Sequence, residues 1–153
     1  MLNIYTDTSV IGGCYDKVFQ EHSSELFEQF KAGTNRLVLS DLVKVELELA
    51  GPLVMSKPDE VPQHFKIEIK TTDKANELAK TYISHGALTN KSFNDALHIA
   101  LATLNNADIL ASWNFKHIVN LNKIKMYNSI NLQLGYRTIE IRTPREILKP
   151  SLP

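Results

Sequence analysis

The sequence predicts an α/β protein, a three-layer α/β/α sandwich with a short, mainly parallel sheet. Three observations carry this. Short apolar runs recur along the chain, amphipathic stretches separate them, and polar caps and glycine stops mark the borders. A length of 153 residues suits one domain, 1–153, with room for a sizeable core.

The elements follow in order. Leu2–Thr6 reads as a buried strand, and Thr8–Gly13 as a turn into a short helix closed by Gly12 and Gly13. Ser23 or Ser24 caps a helix reaching Lys31, with Gly33 as its stop. Arg36–Leu39 is a second strand. Ser40 or Asp41 then caps a helix to Ala50, ended by Gly51 and Pro52. Residues 56–64 are polar and carry Pro58 and Pro62, which predicts a loop or short turns. Lys66–Lys70 alternates Ile with charge, as an edge strand does. Thr72 or Asp73 opens a helix to Ser84, the loop His85–Lys91 follows, and Ser92 caps an apolar helix to Asn105. Asp108–Ser112 is a strand, 115–134 is helical in part, Arg137–Ile141 is a last short strand, and Thr143–Glu146 is a final turn.

Composition narrows the function. The single cysteine, Cys14, excludes an internal disulfide and suits a reducing compartment. The first residues lack the basic start and apolar run of a signal peptide, and no apolar stretch has the length of a membrane span. A cytoplasmic protein without a membrane partner is expected. The net charge of zero hides an asymmetry. Residues 1–112 hold 10 Lys and Arg against 15 Asp and Glu, and residues 113–153 hold 7 against 2. The basic segment, with Lys116, Lys123, Lys125, Arg137, Arg142, Arg145 and Lys149, reads either as a phosphate-binding surface or as a solvated face.

Three acids stand in apolar settings. Asp7 ends the first strand. Glu46, at about 100° per residue, falls in one helical arc with Leu42, Val45 and Leu49, while Lys44 and Glu48 point away. Asp95 lies on the apolar helix after Ser92. Buried carboxylates without counter-charges are costly unless a cation gathers them, and oxygen donors suit a hard divalent ion. Each acid also has a plainer reading: Asp7 as a turn cap, Glu46 reaching past its neighbours to water, and Ser92-x-x-Asp95 as a capping box. His98 continues the polar side of that helix and reads as a hydrogen-bonded core residue. Trp113 reads as core, with base stacking as the alternative.

The order and setting of these acids resemble the PIN domain, the ribonuclease fold of VapC-like toxins. The carriers are Ile4-Tyr5-Thr6-Asp7-Thr8-Ser9, Ser40 followed by Glu46, Asn94-Asp95-Ala96-Leu97-His98-Ile99-Ala100, Ala111-Ser112-Trp113-Asn114-Phe115 and Arg142-Thr143-Pro144-Arg145-Glu146. The resemblance spans nearly the whole chain. It implies a metal site of Asp7, Glu46 and Asp95 holding Mg2+ or Mn2+, with Ser9 or Thr8 orienting the first acid or the water. It further implies an RNA substrate, a homodimer, and an antitoxin as partner. The chain departs from the family pattern at Asn114 and Lys116, where many members carry Asp. Asn114 is then a neutral ligand at the catalytic site or a turn residue, and Ser9 and Lys116 are contacts to substrate. A PIN-like module that binds RNA or protein with little or no catalysis is the rival reading. A response-regulator receiver lacks its acid pair here, and a haloacid-dehalogenase-like phosphatase lacks the second Asp of its D-x-D motif, because Ser9 stands there.

Overall fold

The computed structural model describes residues 1–149; residues 150–153, the end of the expected 1–153 domain, lie outside them. Strands β1 (Asn3–Thr6), β2 (Arg36–Ser40), β3 (Lys66–Ile69), β4 (Ile109–Ala111) and β5 (Glu140–Arg142) form one parallel sheet. Their order across the sheet is β3-β2-β1-β4-β5. Tyr5 of the central strand lies opposite Val38 on one side and Leu110 on the other.

Parallel neighbours need crossover connections, and helices supply them. Helices α1 (Thr8–Gly13) and α2 (Gln20–Ala32) link β1 to β2. Helices α3 (Asp41–Leu49) and α4 (Pro52–Met55), with two 3-10 turns at Lys57–Glu60 and Gln63–Phe65, link β2 to β3. Helices α5 (Asp73–Ser84) and α6 (Phe93–Leu104) carry the chain back across the sheet to β4. Helix α7 (Leu121–Gln133) links β4 to β5, and α8 (Pro144–Leu148) follows. Right-handed crossovers put α1–α4 on one face and α5–α7 on the other. Helix α8 packs on α2, and α5 packs on α6 and α7. This is the three-layer sandwich that the sequence predicts. Ile4, Tyr5, Leu37 and Leu110 are fully buried between the layers.

Local chemistry sets most borders. Ser40 caps α3 by accepting from the Val43 N–H, Thr72 caps α5 through Ala75, and Asn120 caps α7 through Lys123. Thr143 and Glu146 form a reciprocal capping box on α8. Asp41 accepts from the backbone and hydroxyl of Thr71, which ties the start of α3 to the exit of β3.

Two short helices, α4 and α8, stand where the sequence predicts a helix stop and a final turn, and other borders or faces differ because a polar side chain is engaged elsewhere or a face is turned. Helix α2 begins at Gln20, and Ser23 is buried within it, accepting from the Trp113 indole N–H at 2.8 Å. Helix α6 is entered through a 3-10 turn, Asn90–Ser92, and Ser92 makes no cap because its hydroxyl lies 3.3 Å from His117 Nε2. The last strand starts at Glu140, after Ile139 has given its N–H to Asn128 Oδ1. The buried face of α3 is Val43 and Leu47, whereas Val45 and Leu49 are 57% and 88% exposed. Glu46 therefore sits beside the buried stripe and not at its centre.

Gly33 ends α2 in the left-handed conformation, φ 77°, and a Cβ added there would meet the Phe65 ring. Left-handed backbone and overpacking each cost an L residue on the order of 1–2 kcal/mol. Gly33→Ala should lower the unfolding free energy by about 2 kcal/mol or more, read as a lower urea midpoint. An unchanged midpoint would show that α2 ends in some other way.

Candidate functional site

The chain leaves β1 towards β2 and leaves β4 towards β5, so the C-terminal ends of β1 and β4 flank a topological switch point, where parallel α/β sheets open a crevice. Asp7 sits there. It follows β1, caps α1 and is 3% exposed. Its Oδ1 accepts from the Ser9 hydroxyl at 2.6 Å and the Val10 N–H at 3.2 Å, and its Oδ2 accepts from the Ser112 hydroxyl at 2.5 Å. Its own N–H donates to the Ala111 carbonyl beside it on β4. The donors are neutral. Burial raises the Asp7 pKa, and His98, Ser112, Ser9 and Val10 pull it back without cancelling that rise.

Glu46 reaches the same end of the sheet from α3. Its Oε1 accepts from the Thr8 hydroxyl at 2.6 Å and lies 2.7 Å from His98 Nε2. Burial alone would raise its pKa, but the hydrogen bonds from His98 and the Thr8 hydroxyl leave it below the usual carboxylate value. The counter-group that the sequence does not reveal is thus His98, from a separate helix. Lys44 pairs with Glu68. His98 is 3% exposed, and its Nδ1 lies 2.7 Å from the Tyr5 hydroxyl, itself 2.8 Å from Ser40 Oγ. The core reading of His98 holds in that it is buried and hydrogen-bonded.

Asp95 stands one turn before His98 on α6, half-buried. Its charge helps burial raise the pKa of Tyr127 on α7. It is not the second half of a capping box, because Ser92 makes no cap.

The loop after β4 is built by hydrogen bonds to the same cluster. Ser9 accepts from the Trp113 N–H at 2.9 Å, and Ser112 accepts from the Asn114 N–H at 2.9 Å. The Asn114 side-chain oxygen accepts from the His117 N–H at 3.0 Å, so here it caps the turn that follows. Lys116 is exposed on that turn. Trp113 is stacked on Phe19 at 4.5 Å and bonded to Ser23, a core residue; Phe115 beside it is 53% exposed. Of the basic segment, Lys123 donates to the Ala87 carbonyl and Arg142 pairs with Glu140, so those two serve the fold.

The donor set suits a hard cation in kind, since Asp7, Glu46 and Asp95 offer oxygens from three elements and every hydrogen-bond donor to Asp7 is neutral. It is not drawn together as a finished centre. Among the described residues no three His, Cys, Asp or Glu stand as a group able to hold a metal ion. Asp7 and Glu46 are linked through Thr8, and Glu46 and Asp95 through His98 and one helical turn. Ser112, Tyr5 and Ser40 belong to the cluster and escaped sequence reasoning. All three lie in the motifs that carry the resemblance, and Ser112 ends an expected strand, but none was given a site role there.

A carboxylate whose folded pKa is raised binds its proton more tightly folded than unfolded, so its stability cost appears as pH rises through the folded pKa. Asp7→Asn should therefore raise the melting temperature of the chelator-treated protein at pH 7. The gain should shrink on acidification towards the unfolded Asp value. A lower melting temperature at pH 7 would mean that the three donors already outweigh the burial.

No family model and no curated protein matches the chain. Solved structures do. VapBC2 from Rickettsia felis, bound to a DNA fragment from its promoter, matches with TM-score 0.57 and 16% identity over 93% of this chain and 98% of that chain. VapC20 from Mycobacterium tuberculosis, a toxin that cleaves the sarcin–ricin loop, matches with TM-score 0.59 and 13% identity over 74% of this chain and 92% of that chain. At such identities the likeness speaks for the fold alone: the chain has the PIN-like α/β/α fold of these VapC structures.

Proposed function

We propose that the protein is a metal-dependent endoribonuclease, acting in the cytoplasm as the toxin of a toxin–antitoxin pair. The single observation that carries this is Asp7: a buried carboxylate, met only by neutral donors, at the switch point of a VapC-like fold. Asp7, Glu46 and Asp95 would hold Mg2+ or Mn2+. When bound, such an ion neutralises the carboxylates and acidifies water next to a phosphodiester.

The chain's own residues supply orientation and charge. Ser9, Ser112 and the Val10 N–H fix both oxygens of Asp7. Thr8 and His98 fix one oxygen of Glu46. Asn114 is assigned to shaping the turn that presents Lys116, and Lys116 to a flanking phosphate. Ser9 supports Asp7 and the Trp113 backbone rather than substrate. No helix among the described residues is long and apolar enough to cross a membrane. The exposed Val45, Leu49 and Leu53 on α3 and α4 offer an apolar surface of the kind protein partners cover, which supports a homodimer or an antitoxin contact.

A second reading, a PIN-like module that binds RNA or protein without cutting, is favoured by the incomplete gathering of the acids. Cleavage of a mixed single-stranded RNA pool separates the two. Wild type with Mn2+ should cut, chelator should stop it, and Asp7→Ala should fall to the chelator background. Binding should weaken with salt, with a log–log slope of about −0.7 for each phosphate neutralised. Asn114→Asp should leave cleavage within about threefold, since Asp caps a turn as well as Asn does. Equal background in every condition would leave the binding module.

A further inference from the structure

Five buried or half-buried groups from four elements form one hydrogen-bond chain. It runs from the Val43 N–H to Ser40 Oγ at 3.1 Å, to the Tyr5 hydroxyl at 2.8 Å, to His98 Nδ1 at 2.7 Å, and from His98 Nε2 to Glu46 Oε1 at 2.7 Å. Ser40 and Tyr5 are fully buried, so each hydrogen must find its partner inside this chain.

That requirement fixes the directions. An ionised carboxylate only accepts, so Nε2 of His98 carries a hydrogen and donates it to Glu46. In a neutral ring Nδ1 then accepts, and Tyr5 donates to it. The Tyr5 oxygen accepts from Ser40, whose oxygen accepts from the Val43 N–H. Every donor has an acceptor. The opposite tautomer fails twice. Its Nδ1–H would turn Tyr5 to donate to Ser40, whose oxygen would then accept from both Tyr5 and the Val43 N–H, and the Ser40 hydrogen would have no acceptor in the chain. Its Nε2 lone pair would also face the Glu46 carboxylate. Thr8 donates to the same Oε1, so two donors converge on one oxygen of Glu46, and Oε2 stands outside these bonds.

We propose that Tyr5 and His98 are positioning residues for Glu46: the buried Tyr5 hydroxyl holds His98 as the Nε2–H tautomer, and that N–H with Thr8 fixes Oε1, which leaves Oε2 as the oxygen offered to a divalent cation. This rests on the reading of Glu46 as a cation ligand given above. The fit of Asp7, Glu46 and Asp95 to such an ion is one of donor type, and the relay accounts for how the outermost of the hydrogen-bonded acids keeps one orientation on a half-exposed helix. Groups that orient metal ligands from behind commonly change metal affinity by about tenfold to hundredfold when lost.

The test combines ring 15N NMR on the metal-free full chain with Mn2+ titration by calorimetry. Wild type should show His98 protonated at Nε2 and bare at Nδ1. Tyr5→Phe, which keeps the ring and its packing, should lose that fixed tautomer and bind Mn2+ about tenfold more weakly. His98→Gln places an amide N–H near the position of Nε2 and should keep Mn2+ affinity within about threefold. His98→Asn places it near Nδ1, out of reach of Glu46, and should weaken Mn2+ by about tenfold or more. A merely structural histidine would make Gln and Asn alike in Mn2+ affinity, and that result overturns the proposal, as does a wild-type ring protonated at Nδ1. Should His98→Asn fail to fold, Tyr5→Phe decides by the same two readouts. A wild type with the Nε2–H ring that binds no Mn2+ would overturn the metal reading, and with it the purpose assigned to the relay; an Nδ1–H ring would overturn the relay itself whatever the metal does.

Discussion

The arrangement depends on one constraint: a carboxylate is buried where two parallel strands part. Asp7 cannot reach water, and its donors must come from the protein. They come from α1 through Ser9 and Val10 and from the end of β4 through Ser112. Satisfying Asp7 therefore ties the start of the chain to a strand more than a hundred residues away, a separation of 105 for the Ser112 bond. The loop after β4 is then organised from the same two serines, through the N–H groups of Trp113 and Asn114. A site built this way keeps its shape because the same bonds that make the charge tolerable also hold the strand ends in place.

The two hydrogen-bonded acids are treated in opposite ways. Asp7 is enclosed by neutral donors and its pKa is pushed up by burial, while Glu46 is half-exposed and its pKa is held down by His98 and Thr8. Both can take a positive partner, Asp7 because its hydrogen-bond donors are neutral and Glu46 because its pKa is held low. Asp95 joins them by position, one turn from His98 on a helix whose following residues are buried. The fold thus brings Asp7 and Glu46 to one end of the sheet, with Asp95 one helical turn from His98, and among the described residues does not close the three into a cage.

Much of the fold was legible because local chemistry wrote it. Ser40 and Thr72 cap the helices that follow them, Gly33 stops α2 with a positive φ, and the Ile–charge alternation of Lys66–Ile69 does mark an edge strand, while the expected final turn at Thr143–Glu146 opens helix α8. The misjudged features share a cause. Ser23 and Ser92 have the residue type of caps, but Trp113 and His117, 90 and 25 positions away, hold their hydroxyls. Val45 and Leu49 look like a buried stripe, but α3 turns Val43 and Leu47 inward. In the site, Asp7, Glu46 and Asp95 were visible as acids in apolar surroundings. The relay of Tyr5, Ser40 and His98 was not, because it joins residues 35 and 93 positions apart with no local pattern. For the same reason the bond from the His117 N–H to Asn114, which shapes the turn after β4, could not be read beforehand.

The central proposal is that Asp7, Glu46 and Asp95 together hold a hard divalent cation. Anomalous diffraction from crystals soaked in Mn2+ tests it most directly. The account predicts one strong manganese peak at bonding distance from Asp7 and Glu46, about 2–2.5 Å for such ions and oxygen donors, with Asp95 bound directly or through water. Manganese found only elsewhere on the protein, with Asp7 still enclosed by Ser9 and Ser112 alone, would contradict it.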